Sequence, residues 1–238
     1  MHIAGLPKEA ARELVASGRP IRLARGEVVF RQGEIGDSAF LVVRGRVRVG
    51  RPADAGKENM LSLLGPGDLL GELTLFDPTP RKATAKAVTE AELVVLTAEA
   101  MRRWLTTDPD AAWHLLRFFA RRMRRTNDAV ENLLFADVPR RVARAVLELA
   151  GRFGTRIPGG VRVEHGLTQG ELAHYIGASR ESVNRALADL SLRGTVRLES
   201  RGLVITDLDR LRRKAQGSPH NACGGTATVP LADRDRRR

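Results

Sequence analysis

The chain has 238 residues, room for two ordinary domains, and its 29% charged and 42% apolar residues mark a folded globular chain rather than a disordered one. A single cysteine, Cys223, excludes an internal disulfide, a thiolate zinc cage and a four-cysteine iron–sulfur site. Lys and Arg outnumber Asp and Glu by 40 to 28, a net charge of +12.

The start, MHIAGLPKEAARE, lacks an uninterrupted signal-peptide core, and no apolar run approaches the roughly 20 residues of a membrane span, so a cytoplasmic location without membrane contact is expected. Residues 7–17 (PKEAARELVAS) predict a short amphipathic helix. From Ile21 to about Leu96, short apolar runs (Val28–Phe30, Phe40–Val43, Val47–Val49, Met60–Leu64, Leu93–Leu96) are punctuated by glycines. Close, regular spacing of short strands predicts a small antiparallel barrel or sandwich, and RGRVRVG at 44–50 alternates as a half-buried strand should.

Asp108-Pro109-Asp110 predicts the start of a long helix reaching about Phe135, with an N-cap carboxylate and a first-turn proline. Within it Leu116, Ala120, Met123, Asn127, Val130 and Leu134 fall at alternating spacings of four and three, a coiled-coil seam. A second apolar set, Leu115, Phe118, Phe119 and Leu133, is available to cover the barrel, which leaves the seam spare for a second copy of the chain. Asn127 on that seam suits a register-fixing role between paired helices. A homodimer is therefore expected.

Asp137-Val138-Pro139 interrupts the helix and starts another, a domain boundary and hinge. Residues 140–211 read as a helix to about Arg152, a loop at 154–160, two short helices and a hairpin at 196–205. From Arg212 onward there is no periodicity, and 212–238 is expected to be a disordered basic tail. Basic residues outnumber acidic ones by 21 to 18 in 1–139 but by 14 to 8 in 140–213, pointing to a polyanion partner for the second half. A GC-rich coding habit, visible as 35 Arg against 5 Lys, is the competing explanation.

The segment LTQGELAHYIGASRESVNRALADL at 167–190 decides between them. Thr168 and Glu171 have capping-box spacing with Gln169 in the first turn, Leu172, Ala173 and Ile176 supply an inner face, Gly177 ends the helix, and Ser179 can cap the next. Two short helices joined through a glycine match helix-turn-helix geometry. On the second helix Val183, Leu187 and Leu190 cluster on one side, while Arg180, Glu181, Asn184, Arg185 and Ala188 fan over the other. Arginines at a helix N-terminus oppose the dipole, so the fold does not ask for them. Base edges do: Arg pairs with guanine and Glu accepts from cytosine, each worth roughly 1–3 kcal/mol of discrimination. Double-stranded DNA is the expected partner, with Thr168, Gln169, Ser179, Arg180, Glu181, Asn184 and Arg185 as the expected DNA-binding residues.

SRESVNRAL after TQGELAHYIGA resembles the recognition element of the cAMP-receptor/FNR superfamily of bacterial transcription regulators, and ENLLFADVPRRVAR and GDLLGELTLFDPTPR resemble its actinobacterial cAMP receptors. The resemblance covers about residues 6–211 and implies an α+β chain: an N-terminal antiparallel β-roll effector-binding domain at 1–107, a dimerisation helix at 108–136 and a winged helix-turn-helix DNA-binding domain at 137–211. It further implies a TGTGA-like palindrome read by Arg180, Glu181 and Arg185, and leaves RNA polymerase as an open candidate partner. Gly71, Glu72, Leu73 and Thr74, followed by Arg81, resemble the family's phosphate-binding cassette, with Thr126, and Asn127 from the partner subunit, implied against the adenine of cAMP. Lys82 departs from the family's Ser or Thr. It adds a second cation to the phosphate, or turns outward while Thr84 or a backbone group takes over, or marks a site for another effector or for none.

His2, His114, His165, His174 and His220 are scattered without a metal-ligand spacing, so no metal or haem site is expected. No nucleophile–base arrangement supports a catalytic site, and no enzyme activity is expected. Trp104 and Trp113, near the start of the long helix, are expected to pack rather than stack on bases.

Overall fold

The computed structural model describes residues 8–52 and 58–216. Its first part runs α1 (Lys8–Ala16), β1 (Arg19–Leu23), β2 (Val28–Phe30), β3 (Ser38–Arg44), β4 (Val47–Pro52), β5 (Glu58–Leu64), β6 (Leu69–Leu70), α2 (Leu73–Phe76), β7 (Thr84–Ala87) and β8 (Ala91–Thr97). The strands form two antiparallel four-stranded sheets, ordered β1-β8-β3-β6 and β2-β7-β4-β5. Period-two alternation directs Phe40, Val42 and Leu93 of one sheet and Phe30, Val47 and Ala85 of the other into a shared core, which makes the pair a β-roll.

Two helices cover the opposite face of the first sheet. In α3 (Ala98–Thr107) the Thr97 hydroxyl caps the helix by accepting from the Ala100 amide at 3.1 Å, and Met101 and Trp104 are buried. The long helix, α4 (Ala111–Phe135), sets Phe118 into the same cluster. It starts three residues later than expected. Asp108 closes α3 and its carboxylate accepts from the Asp110 amide at 2.9 Å, an Asx turn that holds Asp108 and Pro109 outside the helix. Trp104 packs as expected, whereas Trp113 is exposed.

The chain turns at Ala136 and re-enters helix at α5 (Val138–Phe153), where the Asp137 carboxylate accepts from the Arg140 amide at 2.8 Å. There follow β9 (Gly154–Ile157), β10 (Gly160–Val163), α6 (Gln169–Ile176), α7 (Arg180–Leu192), β11 (Val196–Glu199), β12 (Gly202–Ile205) and α8 (Leu208–Gln216). The strands pair antiparallel in the order β11-β12-β10-β9. Residues 154–160, expected as a loop, are therefore largely a hairpin turning at Pro158-Gly159. Residues 212–216, expected in the tail, are helical because Leu211 and Ala215, four apart, bury one face of α8 against α5. The rest of the expected tail, 217–238, lies outside the described residues, as does residue 7 of the first helix.

The two halves share apolar packing. Met60 and Leu63 of β5 and Val88 join Val146, Leu149, Leu172 and Leu187 in one cluster. Among the described residues no helix is long and apolar enough to cross a membrane, and no group of three or more His, Cys, Asp or Glu is placed to hold a metal ion.

Candidate effector pocket and nucleic-acid interface

Arg81 is folded into the β-roll, 4% exposed. Its Nη1 donates to the Gly71 carbonyl at 2.6 Å and to the Thr74 hydroxyl at 2.9 Å, and its Nη2 donates to the Ser38 carbonyl at 2.7 Å. The guanidinium carbon lies 4.4 Å from the centre of the Phe30 ring. Two glycines make the space. A Cβ on Gly71, which sits at φ +73°, would meet Arg81 Nη1 at 2.5 Å, and one on Gly36 would meet its Cζ at 2.3 Å. Burial lowers the pKa of Arg81, opposed by the more distant charges of Asp37, Glu34 and Glu72. Among the described residues no carboxylate closes an ion pair with it, and its Nε has no hydrogen-bond partner. A buried cation held only by neutral oxygens is a costly arrangement that an incoming anion relieves.

Glu72 lies beside it, 1% exposed. Its Oε1 accepts from Arg122 Nη1 of α4 at 2.6 Å, while Oε2 is buried with no partner, an acceptor left open for a ligand hydroxyl. Burial raises the carboxyl pKa, and Arg122 and then Arg81 work against that rise. The Glu72–Arg122 pair joins the pocket to the long helix.

The second candidate site is built by helix ends. The Thr168 hydroxyl accepts from the Glu171 amide at 3.3 Å and the Glu171 carboxylate accepts from the Thr168 amide at 2.8 Å, a complete capping box. Gly177 closes α6 at φ +72°, a left-handed turn that favours glycine, and the Ser179 hydroxyl caps α7 by accepting from the Ser182 amide at 3.2 Å. Val183, Leu187 and Leu190 are buried. Arg180, Glu181, Asn184 and Arg185 are exposed on the other face, as are Thr168, Gln169 and Ser179. That leaves the N-terminal half of α7 presenting donors and an acceptor to whatever lies outside.

A cyclic nucleotide-binding domain family matches residues 20–108, and a Crp-like helix-turn-helix domain family matches residues 140–214. The chain is 45% identical over 212 residues to a CRP-like cAMP-activated global transcriptional regulator of Mycobacterium tuberculosis, spanning 89% of this chain and 95% of that protein. The chain belongs to the CRP/FNR family. A cyclic AMP receptor protein of Thermus thermophilus is 37% identical over 73% of this chain and 77% of its own. A crystal structure of a CRP-family transcriptional regulator, also from Thermus thermophilus, superposes with a TM-score of 0.70 at 31% identity, covering 83% of this chain and 97% of that one.

This CRP/FNR member thus carries the two domains in the family's order, and the family is one of transcription regulators rather than enzymes. Of the residues expected around its effector, Gly71, Glu72, Thr74 and Arg81 come together, and Leu73 begins α2 at their rim with an exposed side chain. Lys82 is exposed, and its carbonyl accepts from Arg51 Nε at 2.9 Å, while the Thr84 hydroxyl accepts from the Gln32 amide at 3.0 Å. Thr126 is exposed one turn after Arg122, donating its hydroxyl to the Arg122 carbonyl at 3.1 Å, and Asn127 faces outward. Arg122 itself escaped the sequence reading, although its position four residues before Thr126 put it on the same helix face. Phe30, Gly36 and Ser38, which surround Arg81, are remote in sequence and no spacing marks them.

Proposed function

We propose that this protein is a homodimeric, sequence-specific DNA-binding transcription regulator controlled by a cyclic nucleotide, cAMP first, and reading a TGTGA-like palindrome. The observation that carries the effector assignment is the buried Arg81, a cation without a paired carboxylate among the described residues, set beside the open Oε2 of Glu72. A cyclic phosphate supplies the anion and a ribose hydroxyl supplies the donor. Because Glu72 is tied to Arg122, filling the pocket bears directly on α4, and a ligand that contacts two elements differently in two states shifts their balance.

The dimer assignment rests on α4. Leu116, Met123, Val130 and Leu134 are exposed, Met123 at 68% and Leu134 at 70%, and they share a face with Ala120 and Asn127. An uncovered apolar stripe of heptad spacing fits a second copy of itself. Two recognition helices related by a twofold then address half-sites one helical turn, about 34 Å, apart.

Calorimetry with cAMP tests the assignment. The intact chain is expected to give saturable heat, and Arg81→Ala to give none while the oligomer mass is unchanged. No heat at millimolar cAMP would overturn cAMP control and favour the second reading, a regulator with another effector or none, for which the observation is Lys82 in place of Ser or Thr.

A further inference from the structure

A second basic cleft, separate from the pocket around Arg81, lies between the first turn of α5, the end of α7 and α8, with a volume of about 420 Å³. Arg193 and Arg210 are fixed in its wall: Arg193 Nε pairs with Asp189 Oδ1 at 2.7 Å, and Arg210 Nη1 donates to the Arg193 carbonyl at 2.8 Å. Arg140, Arg213 and Lys214 complete the lining, and their side chains make no hydrogen bond or ion pair among the described residues. Both carboxylates present are already engaged, Asp137 in capping α5 and Asp189 with Arg193. The Asp189 carboxyl is held below its usual range, first by the hydrogen bond from Arg193 and further by Lys214 and Arg210, which reports a positive potential in the cleft.

Thr195 lines this cleft, 1% exposed, and its hydroxyl is buried with no hydrogen-bond partner. A hydroxyl buried without a partner is unfavourable unless something completes it. Converging cations beside a spare hydroxyl match the oxygens of a phosphate chain, and guanidiniums bind such oxygens as forked, charge-assisted pairs. The volume falls in the range of small-molecule sites, roughly 300–1,000 Å³. Duplex DNA fits less well. At about 1.5 Å per residue, the cleft, lined from Asp189 to Arg193, lies roughly 14 to 20 Å along the axis of α7 from Arg180, away from the end of the helix that presents Arg180, Glu181 and Arg185.

We infer that the cleft walled by Arg140, Arg193, Arg210, Arg213 and Lys214 over Thr195 is a second ligand site that takes a compact polyphosphate anion, such as the phosphate chain of a nucleoside di- or triphosphate. Bound there, the anion joins the first turn after the α4–α5 break to the end of the recognition helix and to α8. It therefore bears on the orientation of the helix-turn-helix without touching the β-roll.

The test is calorimetric titration of the full chain with inorganic tripolyphosphate. Saturable binding is expected for the intact chain and for Arg81→Ala, which removes the β-roll cation. Binding at least tenfold weaker is expected for Thr195→Val, which keeps every charge and nearly the same shape, and for Arg213→Ala. The inference is overturned if tripolyphosphate gives no saturable heat at millimolar concentration, or if neither Thr195→Val nor Arg213→Ala weakens it. It is also overturned if Arg213→Ala lowers affinity for duplexes of every sequence while tripolyphosphate does not bind, which assigns the cleft to the DNA backbone.

Discussion

Replacing single side chains separates the roles assigned to them. Arg180 is exposed in the first turn of α7, so Arg180→Ala is expected to leave the fold unchanged and to remove the base-edge contact proposed for it. The expected result is a loss of roughly 1–3 kcal/mol of discrimination at one G·C pair per half-site, read by competition with single-base operator variants. His165 makes a different kind of test. It is 4% exposed, its Nδ1 accepts from the Leu167 amide at 3.1 Å, and its pKa is lowered to about 4 by burial first, then by Arg46, with Glu171 opposing. An unfolded histidine takes up its proton near pH 6.5, and the folded one only near 4. Between those values the unfolded state binds more protons, so stability is full above 6.5 and falls as pH drops towards 4, by about 3 kcal/mol from this group. Urea unfolding across that window shows the slope, and His165→Gln is expected to flatten it.

At the scale of elements, α4 carries the clearest experiment. Met123→Glu places a charge on the uncovered seam without touching the buried face, so a monomer is expected by light scattering, with helix content intact and operator affinity reduced at least tenfold. The exposed apolar stripe of α4 was legible because a heptad repeat is periodic and local. So were α6 and α7, whose capping box, left-handed glycine and second cap all lie within twelve residues. What escaped was set by pairing or by contacts across the fold. β1 pairs with β8, seventy residues away, and RPIRL alternates too weakly to announce itself. The β9–β10 hairpin hides behind glycines and a proline that read as loop, and α8 is defined chiefly by two buried residues, Leu211 and Ala215. In the candidate pocket, Gly71, Glu72 and Arg81 carry a pattern along the chain, but Arg122 belongs to it only because α4 crosses the β-roll there.

For the whole molecule, the proposed control requires the pocket to bear on the helix-turn-helix. Two chains of contacts join them. One runs from Glu72 through Arg122 into α4, then across the break, where Arg144 of α5 donates to Asn132 of α4 and to the Ala215 carbonyl of α8. The other is the direct junction between halves. Arg152 pairs with Asp68 at 2.5 Å, the guanidinium carbons of Arg46 and Arg152 lie 4.8 and 4.9 Å from the centre of the Phe153 ring, and Arg25 donates to the carbonyls of Val88 and Gly166. Both members of the Arg152–Asp68 pair are mostly buried, so Asp68→Ala is expected to lower stability by roughly 1–3 kcal/mol in chemical denaturation and to speed proteolysis between the halves.

The claim that governs all of these is energetic coupling between the Arg81 pocket and α7. It is tested most directly by measuring affinity for a TGTGA-like palindrome and for a scrambled duplex of the same length, each with and without saturating cAMP at one salt concentration. Coupling of typical size corresponds to a change of about 5- to 150-fold. The expected result is a shift of that order on the palindrome alone. Equal affinity for both duplexes, unmoved by the nucleotide, would refute the account.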